Sequence, residues 1–284
     1  MITPLAIDLY RGILRIILIL HHDFPEFLAE NHFRLCNAIP RHCTQLHNLV
    51  LSAYPSSFPE LPNPFYAGLK VDRVDGIRKA PVIAGDPMES LIRDNIKEAL
   101  DASFRGNDIS SERITYLANA AYISTSSGPA VNSSLIHALV LYIGQSAIAS
   151  AGESGGQAFT SNSPHASLMA KLAKELDPEP RYYFLSAMAH QLRYPNSHTH
   201  YFSYAILDLF GTGLADQQDL EVRQQITRVL LERLHVIKPH PWGLVITMLE
   251  LIKNPEYSFF QMPFISASPG VGFLPHMAKC SAHP

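Results

Sequence analysis

Cysteine is scarce in this chain. There are three in 284 residues, Cys36, Cys43 and Cys280, an odd number with no C-x-x-C spacing. Such a set is no disulfide framework and fits a reducing compartment, so the cytoplasm and nucleus are the expected locations. An excess of one charge is missing too: 22 Lys and Arg stand against 25 Asp and Glu, a net charge of −3. That balance gives no long-range pull toward phosphate backbones and argues against strong direct nucleic-acid binding. The most apolar early run, GILRIILIL from Gly12 to Leu20, is broken by Arg15 and falls short of the ~20 residues a bilayer span requires. HHDFPEF follows it in place of a small-residue cleavage pattern, so neither a membrane anchor nor a secretory signal is expected. Period-two alternation is also absent, which removes the usual signal for half-buried strands.

What is present is apolar residue at helical spacing. Hydrophobic residues make up 47% and charged residues 17%, a composition that supports a large folded core and excludes general disorder. In LEVRQQITRVLLERLHVI, the residues Val222, Ile226, Val229, Leu230, Leu234 and Ile237 recur at intervals of three and four, with Arg223, Gln224, Gln225, Arg228, Glu232 and Arg233 on the other side. HPWGLVITMLELIKNP is apolar almost all round and is punctuated by Pro241 and Pro255, as expected of a helix sandwiched between neighbours. Further helices are predicted over Leu5 to Leu20, Glu26 to Asn37, Thr44 to Ala53, Met88 to Phe104, Ser111 to Ile123, Asn132 to Ala149, Pro164 to Leu176, Pro180 to Leu192 and Ser197 to Leu209. The expected fold is all-α: a HEAT-repeat-like stack of antiparallel helix pairs, an α-solenoid. Residues 1–267 are read as one helical domain, with a Pro-rich connector at about 54–87, a flexible loop at about 151–164 and an atypical tail at 268–284.

Three motifs invite a catalytic reading. Gly152-Glu153-Ser154-Gly155-Gly156 matches the G-x-S-x-G nucleophile elbow, but that device needs a strand before the serine, and the preceding segment has helical period. Gly211-Thr212-Gly213 lacks the third glycine and the strand of a dinucleotide site. His190, His198 and His200, in AHQLRYPNSHTHYF, could supply three imidazoles to zinc in a metal-dependent hydrolase, the rival reading of this chain. Spacing argues against it. Pro195 followed by Asn196 and Ser197 reads as a helix start, and an i, i+2 pair on a helix diverges by about 200°. Trp242, the sole Trp, is expected to pack in the core.

The stretches that fail as catalytic motifs form a series: YRGILRIILILHHDFPEFL, NLVLSAYP, NPFYAGLKVD, QLRYPNSHTHYFSYAILDLF, QQITRVLLERL and KPHPWGLVITMLELIKNPEYSFF. Over about residues 8 to 267 they closely resemble the C-terminal superfamily homology domain of the large Not scaffold subunit (Not-one) of the CCR-NOT deadenylase complex. The resemblance implies a HEAT-like scaffold that is not an enzyme, needs no cofactor and docks the Not-two and Not-three/five subunits. mRNA-specific repressor proteins are further possible partners, and the implied roles are mRNA deadenylation, mRNA decay and translational repression. The partner-binding candidates are Phe65, Tyr66 and Leu69 on the connector, with Arg193, Tyr194, Asn196, His198 and His200 at the corner between two helices. One departure from the family is the tail, where Pro269, Gly270, Gly272 and Pro275 would interrupt the usual closing helix.

Overall fold

The computed structural model describes residues 3–67, 74, 76–106, 109–154, 157, 159–211 and 217–266. Helix α1 (Pro4–Asp23) opens on Thr3, whose hydroxyl accepts the Ala6 N–H, with Pro4 where its missing N–H costs nothing. Phe24 alone links it to α2 (Pro25–Ala38), and α3 (Thr44–Ser52) packs on both. The connector then carries the one-turn α4 (Pro64–Ala67). After it come α5 (Glu89–Arg93), α6 (Ile96–Gly106), α7 (Ser111–Ala120), strands β1 (Tyr122–Thr125) and β2 (Gly128–Val131), and α8 (Ser133–Ser154). The body is completed by α9 (Pro164–Glu175), α10 (Pro178–His190), α11 (Ser197–Gly211), α12 (Gln217–Leu234) and α13 (Trp242–Lys253), with the short α14 (Pro263–Ser266) last. Short links fold consecutive helices back on one another, and the layers follow: α8 against α10 and α11, α10 against α12, α11 against α12 and α13. The result is a mostly helical, solenoid-like body.

Three features depart from the sequence expectation. The helix expected over Met88 to Phe104 is split, because Asn95 adopts φ 54, a left-handed conformation that asparagine tolerates better than most residues. Past Ala120 the chain leaves the helix for an antiparallel hairpin, Tyr122 pairing with Val131 and Thr125 with Gly128. Both strands are largely exposed, so no apolar alternation marks them in the sequence. The loop expected from Ala151 begins later, since α8 runs on to Ser154. The tail at 268–284 lies outside the described residues.

By length and composition Ser133–Gly152 could cross a membrane, but 56% of that window is buried inside the protein. It is the central core helix: Leu135, Ile136, Leu139, Val140 and Ile143 meet Phe184, Met188, Phe202 and Phe210 of the neighbouring helices. At roughly 1.5–3 kcal/mol per buried large apolar side chain, this cluster is the main source of stability.

Candidate protein-interaction site

The corner LRYPNSHTH is closed by its own polar atoms. Asn196 caps α11: its Oδ1 accepts the Thr199 N–H at 3.0 Å, and its Nδ2 donates to Tyr194 O at 2.7 Å. The Thr199 hydroxyl accepts the Arg193 N–H at 3.1 Å and lies 2.9 Å from Gln191 O and 2.8 Å from Tyr194 O. Arg193, 1% exposed, sends Nη2 to Ala29 O at 2.6 Å and Nη1 toward His32 Nδ1 at 2.9 Å, tying the corner to α2. Arg193 can only donate, so a His32 ring nitrogen accepts; with Nδ1 donating to Ala29 O at 3.0 Å, the acceptor is Nε2, 3.3 Å from Nη1. Its pKa lies well below the usual imidazole value, first through burial and then through the Arg193 charge.

Four of the corner candidates therefore face inward: Arg193, Tyr194, Asn196 and His198 are all buried. His198 is held neutral, its pKa lowered to about 3 by burial and by Arg193. These side chains hold the joint between helices. His200 is partly exposed and meets the Tyr204 ring edge-on at 5.1 Å.

The hydrolase constellation does not assemble. Among the described residues no three His, Cys, Asp or Glu side chains stand where they could hold a metal ion. His190 instead meets His47 and His137, at ring-centroid distances of 5.2 and 4.9 Å. Burial is the first cause that brings His47 to about 4 and His137 to about 3, and it places His190 well below the usual value. In the other histidine pair, His22 Nδ1 meets Asp23 Oδ1 at 2.6 Å and His21 Nε2 meets Ser52 Oγ at 3.1 Å. The G-x-S-x-G serine, Ser154, ends α8 rather than sitting on a strand-to-helix elbow.

The connector is strapped to the body at several points. Trp242 Nε1 donates to Pro62 O at 2.8 Å, and its ring joins Ile77 and Ile246 in a small cluster flanked by Leu61 and Val74. Ser56 N donates to Glu26 Oε1, Ala84 N to Glu30 O, and Ser197 N to Lys79 O. The Phe58 ring meets Tyr194 at 5.5 Å, joining strap and corner. Phe65 is partly buried on α4, which packs on α13. Leu69 and the side chain of Tyr66 lie outside the described residues.

The apolar surface that remains open is on α1. Leu5, Leu9, Ile13 and Ile16, at intervals of four, four and three, are 79%, 64%, 38% and 58% exposed. An adjacent face of the same helix, with Tyr10, Leu14 and Ile17, is the one that packs on the α2–α3 core. Phe24 and Phe27 extend the exposed stripe toward α2. A helix apolar on more than one face is made to be covered on more than one face. The sequence shows this amphipathic breadth, but only packing tells which stripe is left outside.

The family described as "CCR4-Not complex component, Not1" matches residues 1–274. A curated relative, "CCR4-NOT transcription complex subunit let-711" of Caenorhabditis elegans, is 42% identical over 271 residues, 93% of this chain. The chain spans 10% of that relative's length. Among solved structures, the NOT1 superfamily homology domain from Chaetomium thermophilum matches with TM-score 0.92 and 38% identity, covering all of this chain and 56% of that one. A second, described as "Not1 C-terminal domain in complex with Not4", matches with TM-score 0.82 and 30% identity over 95% of this chain and 55% of that one. A corner, strap and helical stack on these sequence strings, with a family match across nearly the whole chain, show that it belongs to the Not1 family.

Proposed function

We propose that this chain is a non-catalytic helical scaffold of the CCR4-NOT complex that docks other Not subunits. Through them it would support mRNA deadenylation, mRNA decay and translational repression, in the cytoplasm and the nucleus. The observation that carries the reading is the likeness, at 30% identity and TM-score 0.82, to a Not1 C-terminal domain solved in complex with Not4. A Not4-type subunit is thus a partner for this chain, beside the Not-two and Not-three/five types and mRNA-specific repressors.

The geometry supports binding over bond making. The hydrogen bonds of the corner hold helices together, while α1 offers an apolar stripe at helical spacing, the surface a helical segment of a Not subunit would cover. Co-purification of the intact chain with Not-two, Not-three/five and Not4-type subunits tests the reading. A stable complex with at least one of them is expected. A chain that is folded by circular dichroism and retains none of them refutes it.

A further inference from the structure

A cavity of about 180 Å3 opens where the turn between α2 and α3 meets α8, α10 and α12. Arg233 lines it and is only 5% exposed. Its Nη2 donates to Ser186 O at 3.3 Å, while its Nη1 has no protein partner among the described residues. The carboxylate in the wall, Glu232, is already engaged, accepting from Tyr182 Oη at 2.6 Å and from Arg228 Nε at 2.7 Å. His47, His137 and His190 share the lining, kept neutral by burial, so they add no charge to it.

The remaining walls also favour negative charge. Arg41 stands at the mouth, its guanidinium 5.7 Å from the Tyr182 ring centroid and 5.5 Å from that of Tyr183. Glu179, at 3.9 Å, is an exposed and loose partner for it. Two helices begin at the cavity: α3 with Thr44, which has no side-chain cap, and α8 with Ser133, where Asn132 Oδ1 accepts the Leu135 N–H. A helix start presents free N–H groups and partial positive charge. A buried guanidinium with an idle N–H, in a cavity that also receives the uncapped start of α3, is electrostatically incomplete.

We propose that this cavity binds a phosphate-class oxyanion, seated on Arg233 Nη1 with Arg41 closing over it. The volume is far above the ~10–15 Å3 that admits one water. The donors from Arg233, Arg41 and the uncapped α3 start suit an oxyanion with three or more oxygens. The anion can arrive free or on a phosphorylated side chain, since the recognising chemistry is the same.

The test is isothermal titration of the intact chain with inorganic phosphate at fixed ionic strength. It is repeated with a short phosphoserine peptide, with its unphosphorylated twin, and with the variants R41A and R233M. Saturable one-to-one phosphate binding is expected, weakened about tenfold in R41A and lost in R233M. A peptide that competes with phosphate only when phosphorylated assigns the source to a protein. A peptide that does not compete assigns it to the free anion, and either result leaves the site standing. Lack of saturable binding overturns the proposal, as does wild-type affinity in R41A, whose side chain is half exposed. If R233M fails to fold, those two results decide the question. A linear rise in thermal midpoint with phosphate that is equal in R41A is general salt exclusion and also counts against the site.

Discussion

The backbone N–H of Gly243 donates to the carbonyl of Arg193 at 2.7 Å, so α13 begins in direct backbone contact with the corner that starts α11. A Cβ at Gly243 would lie 2.5 Å from Thr199 Cγ2, 2.9 Å from Leu192 C and 3.1 Å from Arg193 O. Two of those three atoms are backbone and cannot swing away. The contact joins the two most distinctive strings of the chain, RYPNSHTH and HPWG.

Substituting Gly243→Ala should therefore overpack this joint, at about 1–3 kcal/mol. For a chain of this size that is a fall of roughly 2–4 °C in Tm per kcal/mol, measurable by calorimetry. An unchanged Tm would mean that α13 can shift without loss.

Trp242 ties the strap to the body and is also the sole tryptophan, so its emission reports on the strap. Trp242→Phe keeps most of the packing but removes the bond to Pro62 O, a loss of about 1 kcal/mol. Trp242→Ala should cost about 3–5 kcal/mol. Limited proteolysis should then cut within residues 54–87 faster in the Ala variant than in the Phe variant.

Arg193→Ala removes the donor to Ala29 O and leaves the α2 end of the joint without its partner, at about 3 kcal/mol in urea unfolding. Thr199→Val removes the hydroxyl that accepts from Arg193 N and bonds the corner carbonyls, at about 1–3 kcal/mol. The two residues share one network, so the double variant should lose less than the sum of the single losses. Strict additivity would show that corner and α2 contact act independently.

Stability should fall in acid before any carboxylate titrates. His47 is neutral when folded, with its pKa lowered to about 4, and the same holds for His137 at about 3 and His198 at about 3. Below pH ~6.5 the unfolded chain binds protons that the folded chain refuses, so stability present above that pH is lost as pH falls toward 4. The gap for His47, at ~1.4 kcal/mol per pH unit, is about 3 kcal/mol, and the three losses are coupled rather than additive. Urea midpoints at pH 7 and pH 5 measure the effect; equal midpoints would contradict it.

The α1 stripe predicts a variant that folds but does not bind. Leu9→Glu with Ile16→Glu should change stability by no more than about 0.5 kcal/mol, because both side chains are already exposed. Retention of whichever Not subunit covers this face should be lost. Full retention of every subunit would place docking elsewhere.

Periodicity alone made the helices legible, because an apolar stripe at spacing three and four needs no partner to be read. Among them, α12 and α13 came out with the clearest pattern or punctuation. The family resemblance was legible as well, since RYPNSHTHYF and HPWGLVITMLELIKNP are long ordered strings. The cap at Asn196 was half legible, with the Asn-Ser pair leaving two choices that the bond from Thr199 N resolves. Gly243 carried a signal that went unused: a glycine inside an otherwise apolar helix marks close approach of another backbone.

Tertiary structure decided the rest, because it depends on pairs that local sequence cannot bring together. The partners of Arg193 lie more than 160 positions away on α2. His190 found His47 and His137 rather than the histidines beside it in sequence, because α10 packs against α8 and the imidazoles follow their helices. The sequence determined that this chain is a stack of helices of the Not1 kind. Packing decided which polar groups became joints, which guanidinium was left unpaired in a cavity and which apolar stripe stayed open, since burial belongs to the assembled helices and to no segment alone.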